Sequence, residues 1–137
     1  MTPARPIGKV EHVQVDAEGA YDLVRRQRYI YVDVRESDAF DDGRPAGAVS
    51  IPFSAEAVDE FVAAARARFE LDAKLVVGCN SGKRSPIATH ALIAAGFVDV
   101  IENRTGWDGT RGPFGELREP GWRRAGFPTE SGSPTHS

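Results

Sequence analysis

The chain has 137 residues, 41% hydrophobic and 27% charged, the proportions of an ordinary soluble globular protein of one domain. Its net charge of −3 offers no bulk positive field to nucleic acid or to an anionic membrane surface. No apolar run approaches the roughly 18 residues that a membrane span needs, and the stretch before Val15 lacks the continuous apolar region of a cleaved secretory leader. A lone Cys79 can form neither an internal disulfide nor a cysteine-rich zinc site, but it can be a nucleophile. The expectation is a cytoplasmic, single-domain protein built around the chemistry of one thiol.

In chain order, residues 10–15 are a weak strand candidate. Residues 17–28 follow as a helix with Ala20, Leu23 and Val24 on one face. Residues 29–34, Tyr-Ile-Tyr-Val-Asp-Val, form an aromatic and β-branched run that predicts a strand. Glu36 then begins a helix, where an acid suits the dipole. Residues 48–51 are a second weak strand. Residues 55–69 space Val58, Phe61, Val62, Ala65 and Phe69 as one helical face, a core role for both phenylalanines. Residues 74–78 predict a strand covered on both faces. Residues 85–95 predict a helix, with Pro86 in its first turn and Gly96 past its end. Residues 98–101 predict a last strand.

Glycine and proline crowd the C-terminal third, which reads as loops ending in a disordered tail. The organisation is one domain over residues 8–128, an N-terminal extension over 1–7 and a tail over 129–137. Strands alternating with helices predict an α/β fold with a central, mainly parallel five-stranded sheet and helices on both faces.

In such sheets, sites form where strands end and loops enter helices, and Cys79 lies at one of those ends. The segment from Leu75 runs through Gly78, Cys79, Asn80, Ser81, Gly82, Lys83, Arg84 and Ser85: strand, short polar loop, helix start. A loop curling onto a helix N-terminus turns backbone N–H groups inward and makes an anion-binding nest. Gly82 supplies the backbone freedom, and Lys83 and Arg84 add positive charge. All of this favours negative charge on sulfur. A small buried hydrophobe is the plain alternative for a lone cysteine. The polar, cationic loop argues against it.

These residues also carry a resemblance. Tyr31-Val-Asp33-Val-Arg35-Glu36 is similar to a strand ending in Asp-x-Arg, and Gly43-Arg-Pro-Ala-Gly47-Ala48-Val-Ser-Ile51-Pro52 to a Gly-His-Ile-Pro-Gly-Ala-x-Asn-Ile-Pro stretch. Cys79-Asn-Ser-Gly82-Lys83-Arg84-Ser85 is similar to a Cys-x-x-Gly-x-Arg-Ser loop, and the helix after it ends in Ala-Gly-Phe97. Four such segments in order over one domain length resemble the rhodanese-like domain, the single-domain thiosulfate sulfurtransferase family. Arg44 stands where that family has His, Pro45 and Ala46 replace Ile-Pro, and the region over residues 103–128 matches the family's glycine-rich segment after the last strand only loosely.

The resemblance implies a two-step sulfur transfer. Cys79 takes the outer sulfur of thiosulfate or a similar anionic donor, holds it as a persulfide, and yields it to a thiophilic acceptor such as cyanide or a thiol. No metal or organic cofactor is implied. Asn80, Ser81, Gly82, Lys83 and Arg84 would cradle the sulfur and orient the anion, with Arg35 and Trp107 as further substrate-binding candidates. Arg35 has a second reading, a buried pair with Asp33 that holds the loops. Trp107 has one too, as ordinary packing. His90 on the following helix has no acid in that helix to orient it, so no Cys79 dyad is expected. The basic runs Arg25-Arg26-Gln-Arg28 and Trp122-Arg123-Arg124 are read as solvated faces or helix-end charges.

Two other functions stand beside this one. A persulfide carrier or regulatory module would use the same thiol on a protein partner, a protein sulfur acceptor among them. A cysteine phosphatase or arsenate reductase needs a Cys-x5-Arg loop to enclose a tetrahedral anion. Cys79 to Arg84 is one residue shorter.

Overall fold

The computed structural model describes residues 12–132. In chain order it consists of β1 (Val13–Val15), α1 (Ala17–Gln27), β2 (Ile30–Asp33), α2 (Ser37–Asp42), β3 (Arg44–Pro45), β4 (Val49–Ser50), α3 (Val58–Arg68), β5 (Leu75–Gly78), α4 (Ser85–Ala94), β6 (Val100–Asn103), β7 (Gly109–Arg111), β8 (Leu117–Pro120) and β9 (Thr129–Glu130). Among them no helix is long and apolar enough to cross a membrane.

Five strands form one parallel sheet in the order β1-β6-β5-β2-β4. The middle strand, β5, is buried along its whole length, which is why its sequence is apolar throughout rather than alternating. Successive side chains of a strand point to opposite faces. Leu75 and Val77 therefore join Phe61 and Ala65 of α3 and Ala88 and Leu92 of α4 on one face. Val76 joins Ala20 of α1, Tyr31 and Trp122 on the other. Helices thus cover both faces, and the ends of β2, β5 and β6 emerge side by side, with Asp33 in register with Gly78 and Val77 with Glu102.

Helix α1 begins where Asp16 accepts from Gly19 N–H at 2.9 Å, with Arg25 and Arg26 in its last turn as cations suited to the dipole. Helix α4 carries Pro86 in its first turn. Helix α2 follows Glu36, its N-cap, as expected, and is a six-residue element whose one buried side chain is Phe40. Three features depart from the sequence reading. Strand β6 lies two residues later than expected: Val98 is exposed, and the strand continues through buried Glu102 and Asn103. The C-terminal third contains a hairpin, β7 with β8, and Trp122, which is buried against Tyr21, Tyr31 and Phe127. Finally, the expected tail starts with β9, which pairs antiparallel with β3, Arg44 opposite Glu130. The expected extension over residues 1–7 and the last residues, 133–137, lie outside the described residues.

Candidate active site at the end of β5

Gly78 ends β5 in a place no larger residue fits, because a Cβ there would meet the Tyr31 hydroxyl at 1.9 Å. The chain then turns at Cys79, 4% exposed, and curls into α4. Gly82 makes the curl possible with a left-handed φ of +85°. A side chain there would strike the Arg104 carbonyl at 2.3 Å.

The curl brings two backbone donors onto sulfur. Gly82 N–H donates to Cys79 Sγ at 3.2 Å and Ser85 N–H at 3.4 Å, the latter from the first turn of α4. Both stabilise negative charge at that point, as does the helix terminus itself. The thiol in turn donates to Ser85 Oγ at 3.5 Å. That hydroxyl donates onward to Glu102 Oε2 at 2.6 Å, and Glu102 is fully buried at the end of β6. The other carboxylate oxygen, Oε1, accepts from His12 Nε2 at 2.7 Å and Gln14 Nε2 at 2.9 Å. Neither Glu102 nor His12 was singled out from sequence. The one signal for Glu102 was a carboxylate just past an apolar run, at the sheet edge where sites form.

The remaining loop residues face outward. Asn80, Lys83 and Arg84 are exposed, and Ser81 and Gly82 half-buried. Arg84 Nη2 lies 3.8 Å from Glu36 Oε1, with about half of its side chain open to solvent. Both cations therefore stand at the mouth of the loop. Beside them is a depression of about 290 Å³ lined by Glu36, Phe53, Ser54, Ala55, Glu56, Arg84 and Ile87.

Arg35 and Trp107 sit on the other side. Arg35 Nη2 donates to Asp33 Oδ2 and to the Gly43 carbonyl, both at 2.6 Å, and its Nε reaches both Asp33 oxygens. The guanidinium lies 5.0 Å from the centre of the Trp107 ring, a cation–π arrangement. Its Nε and Nη2 donors are thus taken up by protein groups, in the loop-holding arrangement weighed from the sequence. Trp107 bears on the site through its backbone: its N–H donates to the Cys79 carbonyl at 2.8 Å, and Asp108 N–H to the Asn80 carbonyl at 2.8 Å. Gly106 allows that approach, since a Cβ there would meet the Cys79 carbonyl at 2.4 Å. The segment after β6 is therefore the floor under the Cys79 loop.

Tyr31 is held neutral beneath this floor. Burial pushes its phenol well above the usual range, the Asp33 carboxylate adds to that, and the hydrogen bond from Asn103 opposes it. His90 is exposed on α4. Arg123 and Arg124 both reach Asp108 and so belong to the C-terminal wall.

Comparison with known proteins agrees with this architecture. The chain is 28% identical over 107 residues to the protein named thiosulfate sulfurtransferase 16, chloroplastic, of Arabidopsis thaliana, covering 74% of this chain and 79% of that one. It is 29% identical over 85 residues to the senescence-associated protein DIN1 of Raphanus sativus, covering 58% of this chain and 46% of that one, so it spans about half the length of that relative. Among solved structures, the crystal structure of Rv0390 from M. tuberculosis superposes with a TM-score of 0.72 at 24% identity, covering 89% of this chain and all of that one. At that identity the superposition speaks for the fold. The rhodanese-like domain family matches residues 16–112, the span from the N-cap of α1 to the end of the first hairpin strand, and the chain belongs to that family.

Proposed function

We propose that the protein is a sulfurtransferase that moves a sulfane sulfur from thiosulfate, or a similar small anionic donor, to a thiophilic acceptor through a Cys79 persulfide. The observation that carries this reading is the pair of backbone N–H groups, from Gly82 and Ser85, converging on Cys79 Sγ. They are preorganised for negative charge at that point. In the first step the thiolate attacks the outer sulfur of thiosulfate. The Sγ–S bond forms, the S–S bond of the donor breaks, and its electron pair leaves with sulfite. In the second step cyanide or a thiolate attacks the outer sulfur of the persulfide, and the Cys79 thiolate departs. Lys83 and Arg84 at the loop mouth meet the dianionic donor, and Asn80, Ser81 and Gly82 form the rest of the cradle. Arg35 and Trp107 contribute by holding the loop and its floor in place.

The loop holds four residues between Cys79 and Arg84, a ring suited to a single sulfur atom rather than to the larger phosphate group. The exposure of Lys83 and Arg84 also supports a second reading, a persulfide carrier whose cations meet an acidic protein partner. Intact mass after thiosulfate treatment tests the first. Wild type is expected to gain about one sulfur and lose it to cyanide as thiocyanate, while Cys79→Ser gains none. Wild type that stays unmodified while reduced sinks the thiosulfate reading. Fast steady-state turnover with the same reagents favours an enzyme, and stoichiometric loading without turnover favours a carrier.

A further inference from the structure

Ser85 has one hydroxyl proton, and it is directed at Glu102 Oε2 at 2.6 Å. Toward Cys79 the hydroxyl therefore presents a lone pair, and the thiol donates into it across 3.5 Å. The line continues from Glu102 Oε1 to His12 Nε2 at 2.7 Å, and the His12 side chain is 31% exposed. Sulfur is thus joined to solvent through a hydroxyl, a buried carboxylate and an imidazole. Among the described residues no lysine or arginine lies within ion-pair distance of Glu102. Arg104, at the same strand end, acts on it only at longer range and gives its guanidinium to Glu119. A buried carboxylate without a fixed cation is one whose neutral form is accessible.

We propose that Glu102, acting through Ser85, receives the Cys79 proton and holds it while the thiolate reacts. The inference rests on Cys79 being the nucleophile of the proposed function. As the S–H bond breaks, its proton passes to Ser85 Oγ and the Ser85 proton passes to Glu102 Oε2. The electron pair stays on sulfur. The products are a thiolate facing Gly82 N–H, Ser85 N–H and the turned Ser85 hydroxyl, and a neutral carboxyl still contacted by His12 and Gln14. The pair keeps one negative charge throughout, and no co-reactant is consumed. Glu102 touches no substrate, so it is a positioning and proton-holding residue.

Cys79 and Glu102 then titrate as a coupled pair. The groups facing that pair are His12 from the segment before β1, Gln14 from β1, Arg104 beside β6 with Asp16 and Glu119 around it, and Tyr31 from β2, while Lys83 and Arg84 stand outward at the loop mouth. The test is the ultraviolet thiolate absorbance followed against pH. Wild type is expected to show thiolate in two steps, the lower one marking the form with a neutral carboxyl. Glu102→Gln, whose neutral amide stands in for the neutral carboxyl, is expected to lose the upper step and titrate once, near the lower one. A single step in wild type overturns the proposal, whether it stays in place or moves lower in Glu102→Gln. The carboxylate would then only hold Ser85 and repel the thiolate.

Should the variant fail to fold, difference infrared between wild type and Cys79→Ser decides. Thiolate together with an excess neutral-carboxyl band after the lower step supports the relay. Loss of that band before any thiolate forms overturns it. Neither readout uses a sulfur donor. A wild type that gains no sulfur leaves the relay standing, and a one-step titration leaves sulfur transfer standing.

Discussion

Two buried carboxylates stand at the ends of the strands flanking β5, Asp33 on one side of Cys79 and Glu102 on the other. Their partners differ. Asp33 is clamped by Arg35 through both Nε and Nη2, and a guanidinium carries its charge at any accessible pH. Glu102 is met by a hydroxyl, an imidazole and an amide. The Asp33–Arg35 pair fixes shape, holding the turn at Gly43 and, through the Arg35–Trp107 stack, the floor under the Cys79 loop. Glu102 has no lysine or arginine partner among the described residues, and it is the carboxylate assigned to the proposed relay. Burial alone does not make a carboxylate chemically useful; the fixity of its partner's charge decides what it can do.

Removing the fixed partner breaks this comparison most sharply. Arg35→Ala leaves Asp33 charged and buried, and is expected to cost about 3–5 kcal/mol in denaturant unfolding. Glu102→Gln replaces a carboxylate by a neutral amide among polar neighbours and is expected to cost only about 1–3 kcal/mol. Equal costs would mean that the two sites are held in the same way.

Gly82→Ala acts between the two carboxylates. Its φ of +85° and the Arg104 carbonyl, 2.3 Å from the added Cβ, force the loop to move. A stability loss of about 1–3 kcal/mol is expected. Displacing one N–H donor from Cys79 Sγ is also expected to slow persulfide formation by roughly 10²-fold, measured by quenched intact mass. An unchanged rate would mean that Ser85 N–H and the helix terminus suffice.

Much of this was legible in the sequence where the signal is local. The apolar run of β5, the amphipathic pattern of α1, Pro86 opening α4 and the Cys79–Ser85 loop all depend on neighbours within a few positions. Only the start of helix α2, at Glu36, was legible, because six residues with one large apolar side chain carry no usable period. The hairpin was read as loop because its two short strands are flanked and interrupted by glycine and proline. Strand β6 was placed early because polar Glu102 and Asn103 end an apolar run on paper but continue the strand in space. Their partners, His12 and Tyr31, lie 90 and 72 residues away in sequence. The Cys79 loop is therefore readable from local spacing, whereas the groups that support it from neighbouring strands are not.

Asp108 extends the comparison to the protein's rim. Its side chain is 24% exposed and contacts Arg111, Arg123 and Arg124, so its partners are as permanently charged as that of Asp33, but water reaches them. Partial burial pushes its carboxyl up, and the hydrogen bonds and charges of the three arginines outweigh that, leaving it below the ordinary value of 3.8. A carboxylate depressed in the folded state stabilises the fold above its unfolded pKa, and the contribution is lost as pH falls through the folded one. Solvent screening holds its size to about 1 kcal/mol or less. Asp108→Asn is expected to flatten the acid limb of stability below about pH 4 by that amount and to matter less in high salt. The Arg35→Ala cost is expected to be indifferent to salt. If salt weakens both equally, the Asp33 pair is no better shielded than the rim, and fixity of charge rather than burial would explain the difference between Asp33 and Glu102 by itself.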